Sequence, residues 1–524
     1  MATMSENTLA IEFTDLEKKQ ANLEDAEIVK KEMSFRRMIS LFIGLALTFF
    51  LGAIDDTIVA TCLSHIASEF NAMDSISWVG TSYLLSMTIL HPLYGKLATL
   101  FGRKVVVLTA LVIFTIGTVL CGVSQSMTML ILSRAFTGIG GGGTYSLPFI
   151  IISDTFPIRD RGKYMGILAG VFALASITGP LLGGVLSDKL SWRWAFYVKL
   201  PLIVFTLFVV GYCLDSDSTP GTFWSKARRI DWVGAFLLAT GVVCVLIPTN
   251  WGGSKYAWSS PVIISLYVIG VLALALFVFY EPRYPKEPIM PFRFFKIRNV
   301  CVSLIGDVVF GAVYFGGVYY IPLFFQAVYG DSAESSGIKI LPALMCNFVA
   351  SVGAGWLVSY TGKVRPWIIV GTSILVIGTA LITTLNPRSV QAQELGYLAI
   401  YGIGCGLCFQ LYIIGVQSAV KEEDQPQITG IHAFSQSFGG AIALPMQNAI
   451  LNIVLANNLQ RDVPTLGITS IEPTQVQFVA AQFRHQVVEA YTGALQDALI
   501  PLCVLAGCTF VVSLFMKPVI LGHH

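Results

Sequence analysis

Residues 37–61 read RMISLFIGLALTFFLGAIDDTIVAT: one arginine, seventeen residues without a charge, then two adjacent aspartates. A bilayer core about 30 Å thick is crossed by about 20 apolar helical residues. The stretch therefore predicts a membrane-spanning helix that carries two carboxyl groups at membrane depth. Thirteen further stretches of this kind follow, roughly at 77–98, 104–123, 128–152, 162–187, 194–214, 230–249, 260–280, 299–326, 335–359, 366–385, 394–418, 428–455 and 497–517. The predicted fold class is an all-α integral membrane protein with fourteen spans.

Composition agrees with that reading. Of 524 residues, 55% are hydrophobic and 12% are charged, about half the charged share of a soluble domain. A soluble multidomain enzyme, a disordered chain and a nucleic-acid binder are excluded on this ground. The net charge of +2 creates no field that attracts polyanions. The ten cysteines sit mostly within apolar runs, where Cys behaves as a small hydrophobe, and they show no metal-ligand spacing. No cofactor or metal is expected. The first 35 residues have no apolar core of a signal peptide, so the first span is expected to direct insertion.

Lysine and arginine set the orientation. With the N-terminus placed in the cytoplasm, twenty-four basic residues fall on the inside and eight outside, with Lys199 among the outer ones. Both termini are therefore expected inside. The expected organisation is a tail at 1–36, a six-helix bundle at 37–214, and an inserted helix pair with a cytoplasmic linker at 215–298. A second six-helix bundle follows at 299–517, with a short tail at 518–524. The linker ends in EPRYPKEPIMPFRFFKIR, residues 281–298, and 457–495 is the longest outer loop, with an amphipathic helix expected near Val476–Val488. Six plus two plus six spans suggest a duplicated bundle.

Ionisable groups inside the membrane are costly and default to function. Asp55 lies about 27 Å into span one and Arg134 about 9–10 Å from the outer end of span four, by the helical rise, so the two share a depth and can neutralise each other. Asp307, about 12 Å into span nine, shows no partner in its own stretch. It is a candidate proton carrier or counter-ion for a cationic solute. Span five carries Gly166, Gly179, Pro180, Gly183 and Gly184; small residues let helices approach closely, and Gly-Pro weakens the helix. The loop GKLATLFGRK, residues 95–104, is bounded by Gly95 and Gly102 and ends in Arg103 and Lys104.

These segments resemble a family. Residues 95–104 are similar to the loop motif of the major facilitator superfamily, and Arg134 to Gly140 resembles its RxxxGxG motif. Span five resembles the motif ending GPxxGG of proton-coupled exporters. Asp55 to Thr61 resembles the signature of fourteen-span drug:proton antiporters, and the stretches at 192–197 (WRWAFY) and 320–326 (YIPLFFQ) resemble their fungal branch. The chain departs from these patterns at Thr99, where the loop motif has Asp, at Ser64 in place of Pro, and at Lys199 in place of Asn.

The resemblance implies two six-helix bundles plus two inserted helices, alternating access, and efflux of hydrophobic or amphipathic small molecules (drugs, toxins or secondary metabolites) in exchange for protons. It implies proton coupling at Asp55, Arg134 and Asp307, and a conformational role for Gly95, Gly102, Arg103 and the span-five residues. Substrate-facing aromatics would be Phe310, Tyr314, Tyr319 and Phe409. A monomer in the plasma membrane is expected, with small-molecule substrate, protons and lipid as partners. A vacuolar importer of basic amino acids and a non-transporting sensor are the alternatives. No nucleotide loop, HExxH or supported catalytic triad occurs, so an enzyme is not expected.

Overall fold

The computed structural model describes residues 34–518 except 71, 73–74, 76, 157, 217–220, 254, 465–470, 472–475 and 477–478. The tails at 1–33 and 519–524 lie outside the described residues. Long helices dominate because apolar side chains cover their faces while every backbone group is bonded within the helix, the condition for crossing lipid.

The first half contains α1 (Phe35–Phe70), α2 (Ser77–Phe101), α3 (Arg103–Gly122), α4 (Met127–Thr155), α5 (Ile158–Lys189) and α6 (Leu200–Cys213). A four-residue turn, Trp194–Tyr197, precedes α6. The inserted pair is α7 (Trp232–Trp251) and α8 (Pro261–Tyr280). The second half contains α9 (Arg298–Tyr329), α10 (Leu341–Thr361), α11 (Arg365–Thr383), α12 (Gln391–Gln417), α13 (Gln425–Asp462) and α14 (Ala481–Leu514).

Neighbour relations repeat between the halves. In the first, α1 packs on α5, α2 on α4, and α3 on α4. In the second, α9 packs on α13, α10 on α12, and α11 on α12. The same offset of eight helices relates the two seams between halves, α2 against α13 and α10 against α5. The inserted pair packs mainly on itself, and α7 leans lightly on α2 and α13.

Among the described residues, thirteen helices are long and apolar enough to cross a membrane by length and composition. The remaining predicted span, α2, is a 25-residue helix that falls outside this set. Its composition is explained by position: Ser82, Thr88, His91 and Lys96 are buried against other helices rather than lipid.

The loop expected at 457–495 is shorter than its sequence suggests. α13 continues to Asp462 and α14 begins at Ala481, so most of the amphipathic stretch is the opening of α14. Val487, Tyr491, Ala494, Ala498, Leu502 and Ala506 form one buried face through both parts, and a helix with an unbroken stripe has no reason to stop.

Candidate functional site

The first site is assembled from three helices. Asp55 of α1 accepts from Arg134 Nη1 of α4 at Oδ2 and from Lys199 Nζ, the residue before α6, at Oδ1. Arg134 is held further by donation from Nε to the Val79 carbonyl of α2 at 3.0 Å, and its guanidinium lies 4.3 Å from the Tyr83 ring centroid. Asp55, Arg134 and Lys199 are 0%, 1% and 3% exposed, so their charges compensate one another rather than water. Lys199, counted on the outer side at the end of the span expected at 194–214, is turned inward. The turn Trp194–Tyr197 sets it at the start of α6, and its stem lets the ammonium reach inward, 5.1 Å from the Phe196 centroid. Its only sequence signal is the departure from the usual Asn.

Asp56 differs from its neighbour. It is only partly buried, and among the described residues it has no hydrogen bond or ion pair. Tyr83, Tyr145 and Tyr319 lie within its electrostatic range. Tyr319 on α9 of the other half is 49% exposed yet close enough to feel Asp56 and Arg134, so it faces the gap between halves. Two acids and two bases make this cluster neutral when Asp56 is ionised and singly positive when it is protonated.

The second site gives Asp307, which has no partner in its own stretch, one from a distant helix. His432 of α13 places Nδ1 2.7 Å from Asp307 Oδ2 on α9, and both groups are buried. The two residues are 125 apart in sequence, so no local pattern announces the pair. Between the two sites, the Tyr145 hydroxyl donates to Gln436 Oε1 at 3.3 Å, joining α4 to α13.

Aromatic rings line the junction of the halves. Phe172 of α5 meets Tyr314 of α9 at 6.0 Å between centroids, and Phe149 of α4 meets Phe409 of α12 at 6.4 Å. Phe310, by contrast, is fully buried between Tyr314 and Tyr412, at 5.7 and 6.1 Å. Its position is that of packing rather than lining, whereas Tyr319 presents the largest free surface of the four predicted aromatics.

The halves are closed against each other at the end where α1 begins. A Cβ on Gly95 would stand 2.5 Å from the Pro426 carbonyl oxygen, and one on Gly430 2.6 Å from that of His91, so α2 and α13 touch through backbone. Gly162 and Gly355 do the same for α5 and α10, and Gly166 faces Val352 Cα, 2.8 Å from where its Cβ would lie. Arg161 Nη1 donates to Gln425 Oε1 at 3.0 Å, and Gln410 Nε2 to the Gly162 carbonyl at 3.3 Å.

The predicted latch residues share this end. Gly102 joins α2 to α3 at φ 87°, a conformation that favours glycine, and Arg103 Nε pairs with Asp154 Oδ2 of α4 at 2.8 Å. Thr99, at the place of the motif Asp, donates within its own helix to Gly95 O at 3.1 Å. The remaining span-five residues divide. Gly179 and Gly183, flanking Pro180, pack on α1 at Thr57 and Ile58, whereas a Cβ on Gly184 meets nothing within 4 Å. Gly184 is therefore not part of the close contact.

The linker is also built into this end. Glu287 binds Lys96 of α2 at 2.8 Å and Arg229 at 2.5 Å, and Gln427 of α13 donates to the carbonyls of Pro288 and Ile289 at 2.6 and 3.0 Å. At the base of the inserted pair, Asp231 caps α7 through Gly234 N at 2.9 Å, and Glu281 accepts from Met290 N at 2.7 Å. Burial first, and then the facing Asp231 carboxyl, push Glu281 up to about 7 against the pull of the Met290 amide. Its folded value exceeds its unfolded one, so its contribution to stability is complete below about pH 4.5 and is lost as pH rises through about 7. Glu281→Gln should flatten the melting temperature between these values, and an unchanged slope in detergent melts at pH 5 and pH 8 would remove this pair from the pH response.

Two duplicated bundles, closed on one another at one end and enclosing ionisable groups at membrane depth, define a membrane transporter, not an enzyme. Residues 45–444 match the Major Facilitator Superfamily pattern, and the chain belongs to that family. Among similar curated proteins, the MFS-type efflux pump MFS1 of Arthroderma benhamiae is 33% identical over 95% of each chain. The aspyridones efflux protein of Neocamarosporium betae is 32% identical over 91% of this chain and 87% of its own. The efflux pump aflT of Aspergillus parasiticus is 31% identical over 91% and 94%. Among solved structures, the human organic anion transporter MFSD10 aligns with a TM-score of 0.56 at 14% identity, over 91% of this chain and 99% of its own, a likeness of fold alone.

Proposed function

We propose that this chain exports hydrophobic or amphipathic small molecules from the cytoplasm in exchange for protons, by alternating access between the bundles 37–214 and 299–517. The pair at 215–298 supports the closed end. Export is supported by the efflux functions named for relatives that match along nearly the whole chain. The three-to-one bias of basic residues supports placing both termini and the closed end in the cytoplasm. The plasma membrane is the membrane this reading assigns, and localisation of a tagged chain tests it. A monomer suffices, since one chain supplies both bundles.

The single observation that carries proton exchange is the inequality of two adjacent carboxyls. Both oxygens of Asp55 are committed to Arg134 and Lys199, which makes it the anchor of the cluster. Asp56, next to it and only partly buried, is the group that exchanges its proton. Asp307 with His432 forms the second exchange site. Phe409, Tyr314 and Tyr319 line the substrate path.

Asp56→Asn should leave folding and membrane delivery intact while export of a lipophilic fluorescent dye under an imposed pH gradient falls at least about tenfold, equivalent to about 1.4 kcal/mol. Proteoliposomes with the gradient present and then collapsed provide the measurement. Undiminished gradient-driven export in this variant would dismiss Asp56 as the exchanging group.

A further inference from the structure

Two imidazoles lie inside the seam that α2 and α13 form at the closed end. His91 is fully buried, with Nδ1 2.6 Å from Ser146 Oγ of α4 and Nε2 3.3 Å from Ser437 Oγ of α13. One ring therefore ties the first half to the second. His432, five residues before Ser437, holds Asp307 at 2.7 Å and lies within electrostatic range of His91. The other titratable groups near the dyad are Tyr145 of α4 and Cys408 and Tyr412 of α12. Among the described residues no lysine or arginine acts on Asp307.

Two hydroxyls satisfy a neutral imidazole, one accepting from it and one donating to it. An imidazolium at His91 would need an anion, and the carboxylate in that region, Asp307, is already opposed by His432. Burying an uncompensated charge is expensive. The shut seam therefore holds an uncharged His91 and a dyad without net charge, either imidazolium with carboxylate or imidazole with carboxylic acid. A further proton turns the dyad into imidazolium with carboxylic acid, a net positive charge in a dry contact.

We infer that His91 and the His432–Asp307 dyad make the α2–α13 seam a proton-sensitive gate, in which proton uptake by the dyad favours separation of the two helices at the closed end. Separation hydrates the dyad and lets it release the proton on that side; the neutral dyad then permits reclosure. His432 is an exchanging group and His91 a positioning residue that makes the seam intolerant of the extra charge. The inference rests on the proton-exchange reading and adds an order of events: protonation before opening, release before closing. Tyr145, within range of both Asp56 and Asp307 and bonded to Gln436, lies between the place where a proton arrives and the dyad that uses it.

The test measures the seam directly. Spin labels attached through an unnatural amino acid at the exposed positions 99 and 423, on opposite halves, report its opening in lipid nanodiscs between about pH 8 and about pH 5.5. In wild type the short-distance population should fall with acidification, by up to about tenfold per pH unit for a single proton. With His91→Gln and His432→Gln together the population should be flat. If that pair does not fold, His432→Gln alone should at least halve the slope. A wild-type distance independent of pH, or an unaltered slope in the variants, overturns the gate. Gradient-driven dye export is measured in parallel: intact export with a pH-independent seam removes the gate alone, whereas a pH-dependent seam without gradient-driven export removes the efflux reading alone.

Discussion

Asp55→Asn is expected to destabilise the chain by about 3–5 kcal/mol, the usual result of removing one partner from a buried ion pair, and to abolish export. The variant keeps the shape of the side chain but leaves Arg134 and Lys199, 1% and 3% exposed, facing an amide. Asp56 is then the remaining anion near two cations, and the cluster changes from neutral to singly positive. Replacing Lys199 by the Asn that the resembled fungal pattern carries should undo much of this. In Asp55→Asn/Lys199→Asn the remaining pair, Asp56 and Arg134, sums to zero, so at least half of the lost stability should return while export does not. Thermal unfolding of the four species gives the double-mutant cycle. A single variant within about 1 kcal/mol of wild type would show that Asp55 does not balance those two charges.

That cycle exposes what could and could not be read before the structure. Span positions were legible because lipid accepts only long apolar helices, and even α2, with its buried His91 and Lys96, retained enough apolar length to be recognised. Asp55 and Arg134 were legible as charges at a common depth. Lys199 was not: its reach inward depends on the turn Trp194–Tyr197, and at the outer end of the span expected at 194–214 it counts with the outer basic residues. The pairing of Asp307 with His432 was not legible either, because it is set by the packing of α9 on α13. The start of α14 was misplaced for the opposite reason, since a local amphipathic pattern does not reveal that its stripe continues in phase through Leu502 and Ala506.

The glycines of α5 show the same distinction between pattern and contact, and they yield the second large effect. Gly166, Gly179, Gly183 and Gly184 look equivalent in sequence, yet the first faces α10 of the other half, the next two face α1 of their own half, and the last faces nothing within 4 Å. The tightest backbone-to-backbone crossing between halves at this helix lies elsewhere, at Gly162 and Gly355, where a Cβ on Gly355 would stand 2.2 Å from a backbone carbonyl oxygen. A carbonyl within a helix cannot rotate aside as a side-chain end can. Gly355→Val should therefore hold α10 off α5, with the cost of about 1–3 kcal/mol typical of overpacking. That cost falls on the closed state, because the clash vanishes once the halves separate, so closure should be disfavoured by about tenfold or more. Export should fall in proportion while membrane delivery persists, and amide exchange in residues 158–170 and 341–361 should rise. Gly179→Ala should cost packing within its own half rather than closure, since its Cβ would stand 2.0 and 2.8 Å from Thr57 Oγ1 and Cβ of α1, and Gly184→Ala should have no effect. Equal losses at Gly184 and Gly355 would mean that the glycines act through helix flexibility alone, and that the α5–α10 crossing is not what shuts this end of the transporter.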